Sequence, residues 1–335
     1  MASPPATMPA VVITRPGGPE VLEIREVPRP APGAGEVLVR VRASALNRAD
    51  LLQRQGRYPA PPGAPADIPG LEFAGEVAEL GSGTTRWRPG QRVFGLAAGG
   101  AHALYVVAHE QTLAEIPASL SWIEAAAIPE AFITAQDALA QAALRAGEAV
   151  LIHAVGSGVG LAAVQLVRAL AAVPYGSSRT PDKIARARAF GLEDGIALSS
   201  GLEELPGAVR RWTAGTGVEV VLDLVGGPYV TASLAVMAGR GRMVVLASSG
   251  GAKPEIELKH LLGKRLTVIG SVLRGRSLDE KIQVTESFAA QVVPWLAAGK
   301  LRPVLDGEFP LPEIQTAHRR MESNASFGKI VLRMD

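Results

Sequence analysis

Residues 147–160 read GEAVLIHAVGSGVG and run without a break into LAAVQLVRAL at 161–170. A short apolar run enters a glycine-rich turn, and the turn opens a long segment with helical apolar spacing. A strand, a glycine turn and a helix in that order form an anion cradle. Glycine lets backbone N–H groups approach the ligand, and the helix N-terminus adds partial positive charge. The strict G-x-G-x-x-G frame ending at Gly160 fails, because Val155 and Ser157 fall on its first two glycines; Gly158-x-Gly160-x-x-Ala163 fits the relaxed form. Such a turn can also serve only to pack a helix closely on a strand. The downstream rhythm favours a dinucleotide site. AVPYG (172–176), VEVVLDLVGG (218–227), RMVVLASSGG (242–251) and LTVIGSVL (266–273) are continuous apolar runs of the buried-strand kind. They alternate with helical segments such as TPDKIARARAFG (180–191), where Thr180 is placed to cap, Pro181 to start and Gly191 to stop a helix. This alternation predicts a parallel sheet covered on both faces.

A dinucleotide site selects its cofactor at the end of the second strand, where NAD-binding proteins usually carry an acid for the ribose hydroxyl. Here the stretch is YGSSRTPDK (175–183). Ser177, Ser178, Arg179 and Lys183 offer two hydroxyls and two cations, which suit the 2′-phosphate of NADPH, while Asp182 lies one turn into the helix.

The segment from residue 9 to about 120 has a different pattern. AVVIT (10–14), VLEIREV (21–27), EVLVRVRASAL (36–46), FAGEVAEL (73–80), QRVFGL (91–96) and ALYVVAH (103–109) are short β-type runs separated by proline and glycine loops. They predict a mostly β unit, a partly closed barrel. The tail, with helix 311–322 and strand 328–334, returns to mixed elements. A length of 335 residues accommodates two domains, and 47% hydrophobic residues supply a core for each. Cysteine is absent, which removes disulfides, thiolate nucleophiles and every zinc site that needs sulfur. A net charge of +2 with scattered arginines argues against nucleic acid and membrane partners. No uninterrupted apolar stretch reaches the ~18 residues of a membrane span, no leader peptide is evident, and a cytoplasmic location is expected. No G-x-S-x-G elbow occurs, which argues against a hydrolase. The histidines at 102, 109, 153, 260 and 318 show no metal-ligand spacing.

ASALNRADLLQRQGRYP (43–59), PGLEFAGEVAELG (69–81), AAAIPEAFITA (125–135), LIHAVGSGVG (151–160) and FGKIVL (327–332) together resemble the medium-chain dehydrogenase/reductase superfamily. More narrowly, they resemble its zinc-free, NADPH-dependent quinone oxidoreductases, over about residues 9–333. The zinc-dependent alcohol dehydrogenases of that superfamily carry ligand cysteine, histidine and cysteine where this chain has Asn47, Leu71 and a residue near Glu130. The resemblance therefore implies a metal-free enzyme. It also implies an α/β fold: a GroES-like β-rich catalytic domain from 1–122 plus 265–335, and a Rossmann doubly wound parallel-sheet domain, binding NADPH, from 123–264.

The resemblance further implies reduction of a quinone or related electrophile by direct hydride transfer, a reaction that needs chiefly cofactor binding and a flat acceptor stacked on the nicotinamide. Asn47 and Tyr58 are expected beside that pocket as hydrogen-bond donors to ligand or cofactor, with Asp50 fixing the local loop and no obligatory acid–base residue. By the same resemblance, Thr134, the loop with Leu246, Ser248 and Ser249, and Val272 with Leu273 are expected at the nicotinamide, and Ser157, Gly158 and Val159 at the pyrophosphate. The relatives often carry an Asn-Tyr pair over the adenine phosphate; Ala197 and Leu198 stand here, so one phosphate contact is absent. A homodimer is implied, with LTVIGSVL as its edge strand. Two alternatives remain open: reduction of activated alkenes such as enones or enoyl thioesters, and a non-catalytic NADPH-binding structural or RNA-associated role. A thioester channel would need Arg48, Arg54 and Arg57 free to meet phosphates.

Overall fold

The computed structural model describes residues 6–199 and 201–334. The chain folds into two units, Met1–Ile133 with Leu273–Asp335, and Thr134–Val272.

In the first unit, β1 (Thr7–Ile13) and β2 (Leu22–Pro28) form an antiparallel pair. Then come β3 (Glu36–Ala45), α1 (Arg48–Arg54), β4 (Glu72–Leu80), β5 (Arg92–Leu96), β6 (Tyr105–His109), β7 (Leu113–Glu115), α2 (Trp122–Ala126) and a π-helical turn at Pro129–Ile133. Every second residue of β3, Val37, Val39 and Val41, enters one core with Phe73, Val77, Trp87, Val93 and Leu113, while on the other face Leu38 is also buried and Arg40 is exposed.

The second unit begins with α3 (Thr134–Gln141) and continues through β8 (Ala149–Ile152), α4 (Gly158–Ala169), β9 (Val173–Ser178), α5 (Pro181–Ala187), β10 (Asp194–Ala197), α6 (Leu205–Trp212), β11 (Val218–Asp223), α7 (Pro228–Val236), β12 (Met237–Val245), α8 (Leu258–Lys264) and β13 (Thr267–Gly270). Its six strands are all parallel, in the order β10-β9-β8-β11-β12-β13. The order reverses between β8 and β11, which is the switch point where doubly wound sheets bind ligands. Val150, Leu151 and Ile152 of β8 and Val220, Val221 and Leu222 of β11 are completely buried. Burial on both faces is why these strands are continuous apolar runs rather than alternating ones.

The chain then returns to the first unit as α9 (Leu278–Ala297), β14 (Leu305–Pro310), α10 (Ile314–Glu322) and β15 (Lys329–Arg333). Strand β15 pairs antiparallel with β3 and completes the sheet β14-β15-β3-β4-β5-β7, with β6 also on β3. The boundaries fall at 133/134 and 272/273 rather than at 122/123 and 264/265. Helix α2 packs on β3, β4 and β15, which holds residues 123–133 in the first unit, while β13 hydrogen-bonds to β12, which holds 267–270 in the second. Thr180 occupies the N-cap position of α5, but its side chain makes no capping bond; Pro181 and Gly191 do stand at the helix start and at a left-handed stop. Among the described residues no helix is long and apolar enough to cross a membrane.

Candidate active site

At the carboxyl ends of the parallel strands the second unit presents the glycine turn. Ser157 caps α4 by accepting a hydrogen bond from Gly160 N at 3.0 Å. The N–H groups of Gly158 and Val159, the first two of the helix, have no partner among the described residues. A Cβ on Gly160 would lie 2.7 Å from the Ala154 carbonyl oxygen and 2.8 Å from Val155 Cα, so only glycine lets the helix start this close to the strand. At the end of β9, Arg179 is exposed and Lys183 lies over Gly156. Ser178 is buried; its hydroxyl and the Thr180 N–H are 3.5 Å apart. Ser177 is turned inward instead. It is 1% exposed, and its hydroxyl is 2.6 Å from His153 Nδ1, while His153 Nε2 is 2.8 Å from the Ser233 hydroxyl. Burial pushes His153 down to about 3, so the ring is neutral and locks Ser177 away from a 2′-phosphate.

Leu198, where the relatives often carry tyrosine, is a buried residue whose N–H donates to the Ser178 carbonyl at 2.7 Å. The Thr134 hydroxyl, at the start of α3, is enclosed with no hydrogen-bond partner among the described residues. The loop after β12 is anchored by Leu246 N to the Asp223 carbonyl at 2.8 Å and leaves Ser248 and Ser249 exposed. Val272 is exposed at the end of the second unit, whereas Leu273 is buried in the first.

The first unit contains a second polar cluster. Asn47 precedes α1, and its backbone N–H donates to Asp50 Oδ2 at 2.7 Å. Asp50 Oδ1 accepts from Gly70 N at 3.0 Å, so this fully buried carboxylate ties the α1 loop to the loop before β4. Burial would raise its pKa, but the His102 ring and the Asn47 N–H outweigh burial and hold it below the ordinary value. Glu72 begins β4 and Lys329 begins β15; both are buried and they pair at 2.6 Å. Lys329 Nζ also donates to Asn47 Oδ1 at 2.6 Å and to the Leu46 carbonyl at 2.8 Å. Asn47 Nδ2 donates to Glu72 Oε1 at 2.9 Å and to the Ala45 carbonyl at 3.3 Å. Both donors of the Asn47 amide are thus engaged within the protein, which corrects its assignment as a donor to ligand.

Tyr58 is less constrained than Asn47. Its ring lies under the Arg274 guanidinium, 5.0 Å from the centroid, and its hydroxyl has no hydrogen-bond partner among the described residues. Arg274 is held in place by Ala98 O at 2.8 Å and Gln53 Oε1 at 2.8 Å. Ser44, His102 and Asp50 form a line with Ser44 Oγ 2.5 Å from His102 Nδ1, but all three are completely buried and the His102–Asp50 separation is 3.7 Å. No substrate reaches that hydroxyl. Of the three arginines at a conceivable thioester channel, Arg54 is buried, bound to the Gly17 carbonyl, His318 and Glu322, and Arg48 is bonded to Asn324.

Residues 33–118 match the Alcohol dehydrogenase GroES-like domain family and residues 202–332 the Zinc-binding dehydrogenase family. A quinone oxidoreductase of Pseudomonas aeruginosa is 35% identical over 320 residues, covering 94% of this chain and 96% of that protein. The solved structure of a quinone oxidoreductase from Pseudomonas syringae pv. tomato superposes with a TM-score of 0.87 at 31% identity, over 97% of this chain and 99% of that one. That of a mycobacterial protein complexed with NADPH superposes with a TM-score of 0.88 at 27% identity, over 97% of this chain and 100% of that one. The chain belongs to the zinc-independent quinone oxidoreductase branch of the medium-chain dehydrogenase/reductase superfamily.

For a member of that branch, the positions of the missing zinc ligands are informative. Leu71 is buried and has no donor atom, the Asn47 amide is engaged, and Glu130 stands alone; a Lewis-acid zinc needs three protein ligands. Among the described residues no group of three His, Cys, Asp or Glu could hold a metal. In place of a metal's charge, this quinone oxidoreductase has the ammonium of Lys329 bound to Glu72. Sequence reasoning missed Arg274, the Glu72–Lys329 pair and the carboxyl of Glu130 as site features. The last had a signal: Glu130 is the one charged residue in the run AAAIPEAFIT (125–134).

Proposed function

We propose that this protein binds NADPH and reduces quinones by direct hydride transfer, without a metal. The observation that carries the reading is the pair of unpartnered amides at Gly158 and Val159, with Arg179 and Lys183 at the end of the next strand. Together they supply an anion cradle and a site for a second phosphate. The residues fit the cofactor: Ser157, Gly158 and Val159 would hold the pyrophosphate, and Ser178, Arg179 and Lys183 the 2′-phosphate. The enclosed Thr134 hydroxyl gains the partner it lacks from the nicotinamide amide, with Leu246, Ser248, Ser249 and Val272 beside the ring. When bound, NADPH supplies a hydride and becomes oxidised.

The protein's own task is then to exclude water, orient a flat acceptor and stabilise the charge that reduction leaves on it. Tyr58 offers a ring face and an unpartnered hydroxyl to such an acceptor, and Arg274 keeps that ring in place while adding positive potential. Asn47 acts through Lys329 and Glu72 as a positioning residue. The internal bonds of Arg54 argue against a coenzyme A channel, and so favour quinones over enoyl thioesters. The test is NADPH oxidation with a panel of quinones and enones, with and without a chelator. Quinone-dependent, chelator-insensitive oxidation is expected. Turnover on enones alone, or tight NADPH binding with no turnover on either, would replace this reading with an alkene reductase or a binding protein.

We further infer a cytoplasmic homodimer. Strand β13 is the edge of the parallel sheet, and Val268 and Val272 beside it are exposed apolar residues, as are Leu258 and Leu262 of α8. A monomer by light scattering would overturn the dimer.

A further inference from the structure

We propose that Glu130 is the acid that protonates the reduced substrate, an inference that rests on the quinone-reductase reading. Glu130 sits in the π-helical turn Pro129–Ile133, a local widening of helix frequently found at functional sites. Its backbone N–H donates to Glu72 Oε2 at 2.8 Å, which fixes the residue against the buried Glu72–Lys329 pair. Its carboxyl, in contrast, has no hydrogen-bond partner among the described residues, and the residue is partly exposed. The other acids of the cluster are occupied. Glu72 is bound by Asn47, Lys329 and the Glu130 amide, and Asp50 by the amides of Asn47 and Gly70.

The cations nearby are occupied too. Lys329 is bound to Glu72, Asn47 and the Leu46 carbonyl, and Arg274 to Gln53 and Ala98 while covering Tyr58. A carboxylate at position 130 would therefore lack a dedicated counter-ion and sit beside a fixed anion. The groups acting on it are Glu72 from β4, Lys329 from β15, Asp50 from α1 and Arg274 from the segment after β13. Strand β5 and helix α9, which also pack on the turn, meet through Phe94 and Phe288. Burial and the Glu72 charge outweigh the two cations and push Glu130 up to about 8, so it holds a proton at neutral pH. Glu130 and Arg274 are also the two charges that act on the Tyr58 hydroxyl, so the carboxyl lies within electrostatic reach of that ring.

The step balances. The acceptor receives a hydride, with its two electrons, from NADPH, and the displaced carbonyl electron pair leaves one acceptor oxygen anionic. The O–H bond of Glu130 breaks, a new O–H bond forms on that oxygen, and the carboxylate recovers its proton from water through its exposed edge. The ring carbon that took the hydride then loses a proton to water as the ring becomes aromatic, and the second carbonyl oxygen takes a proton from water, which completes the hydroquinone; NADPH is oxidised, and the net proton comes from solvent. Because Glu130 is an acid of matched strength rather than the only proton source, its loss slows turnover without ending it.

The test compares wild type with Glu130→Gln and Glu130→Asp, using NADPH and a simple benzoquinone. Glu130→Gln should keep its NADPH affinity and fold, lose about 10²-fold in kcat, the lower end of general-acid effects, and lose pH dependence. Wild-type kcat should fall as pH rises past about 8, and Glu130→Asp should keep a falling alkaline limb. Carbon-13 carboxyl NMR or infrared spectroscopy gives a readout independent of turnover: a carboxyl protonated at pH 7 that titrates near pH 8 in wild type and is missing in Glu130→Gln. Equal kcat and identical pH profiles in wild type and Glu130→Gln would overturn the proposal while leaving the quinone reading intact. So would spectra showing every carboxyl ionised at pH 7. A wild type that reduces no quinone at all would overturn the functional reading, and the donor role with it.

Discussion

Replacing Arg179 with Asp should move cofactor preference from NADPH toward NADH. Arg179 is exposed at the end of β9, and Lys183 reaches the same end of the sheet with its stem over Gly156. With Ser177 bound to His153 and Leu198 in place of a tyrosine, the proposed 2′-phosphate site would depend on these two cations and Ser178. Each should therefore matter more than in a site with a full set of contacts. A hydrogen bond to a charged group contributes roughly 1.5–3 kcal/mol, and exposure puts Arg179 at the lower end. Its loss alone should weaken NADPH about 10-fold. A carboxylate ~5 Å from two phosphate charges adds ~1.5 kcal/mol of repulsion even in a water-like dielectric, bringing the total to ~3 kcal/mol, or ~10²-fold. NADH, which carries no such phosphate, should bind nearly unchanged, because Asp can accept from its free ribose hydroxyl. Titration of both cofactors by calorimetry or fluorescence, at low and high salt, measures the ratio. The effect should shrink at high salt, since exposed charges are screened within ~10 Å at ordinary ionic strength. Equal affinities in the wild type, or an unchanged ratio in the variant, would refute the assignment of Arg179.

Lys329→Met should be strongly destabilising, by roughly 3–5 kcal/mol, because it leaves the buried Glu72 carboxylate unpaired. Urea unfolding checks it, and Lys329→Met combined with Glu72→Gln should recover much of the loss. Stability should also depend on Glu130. Its folded pKa is raised from 4.5 to about 8, so between those values the folded chain holds a proton that the unfolded chain releases. That contribution is fully present below about pH 4.5 and lost as pH rises through about 8. The slope is at most ~1.4 kcal/mol per pH unit. Glu130→Gln should therefore gain on the wild type across that window and keep a constant margin above it; a margin that does not change with pH would contradict a protonated Glu130.

What was legible in the sequence follows from which forces are local. The parallel strands were visible because burial on both faces demands continuous apolar runs, and the cofactor turn because only glycine admits the approach seen at Gly160. Strands β7, β10 and β14 escape such a reading: β7 has only three residues, and β10 and β14 contain no fully buried residue, so neither periodicity nor apolarity marks them. The unit boundaries were displaced for a similar reason. Residues 123–133 are helical in sequence, like the second unit, and only the packing of α2 on β3, β4 and β15 assigns them to the first.

The candidate site divides along the same line. Backbone-defined features, such as the amides of Gly158 and Val159, could be placed from a contiguous motif. Side-chain features could not, because their partners are far apart in the chain: Asn47 with Lys329, Glu72 with Glu130, Tyr58 with Arg274, Ser177 with His153. This is why Asn47 and Ser177 read as ligand contacts and are in fact engaged internally. It also explains what replaces the metal. Substituting leucine and asparagine at two ligand positions removes the cation but leaves Glu72, and a buried carboxylate without a partner is costly. Lys329 neutralises Glu72, and with that cation committed, the next carboxyl along, Glu130, has no cation left to bind. It is stable there chiefly as the neutral acid. An acid at position 130 is thus a consequence of charge balance among residues 47, 72 and 329, and the proton it keeps would be available to a reduced quinone.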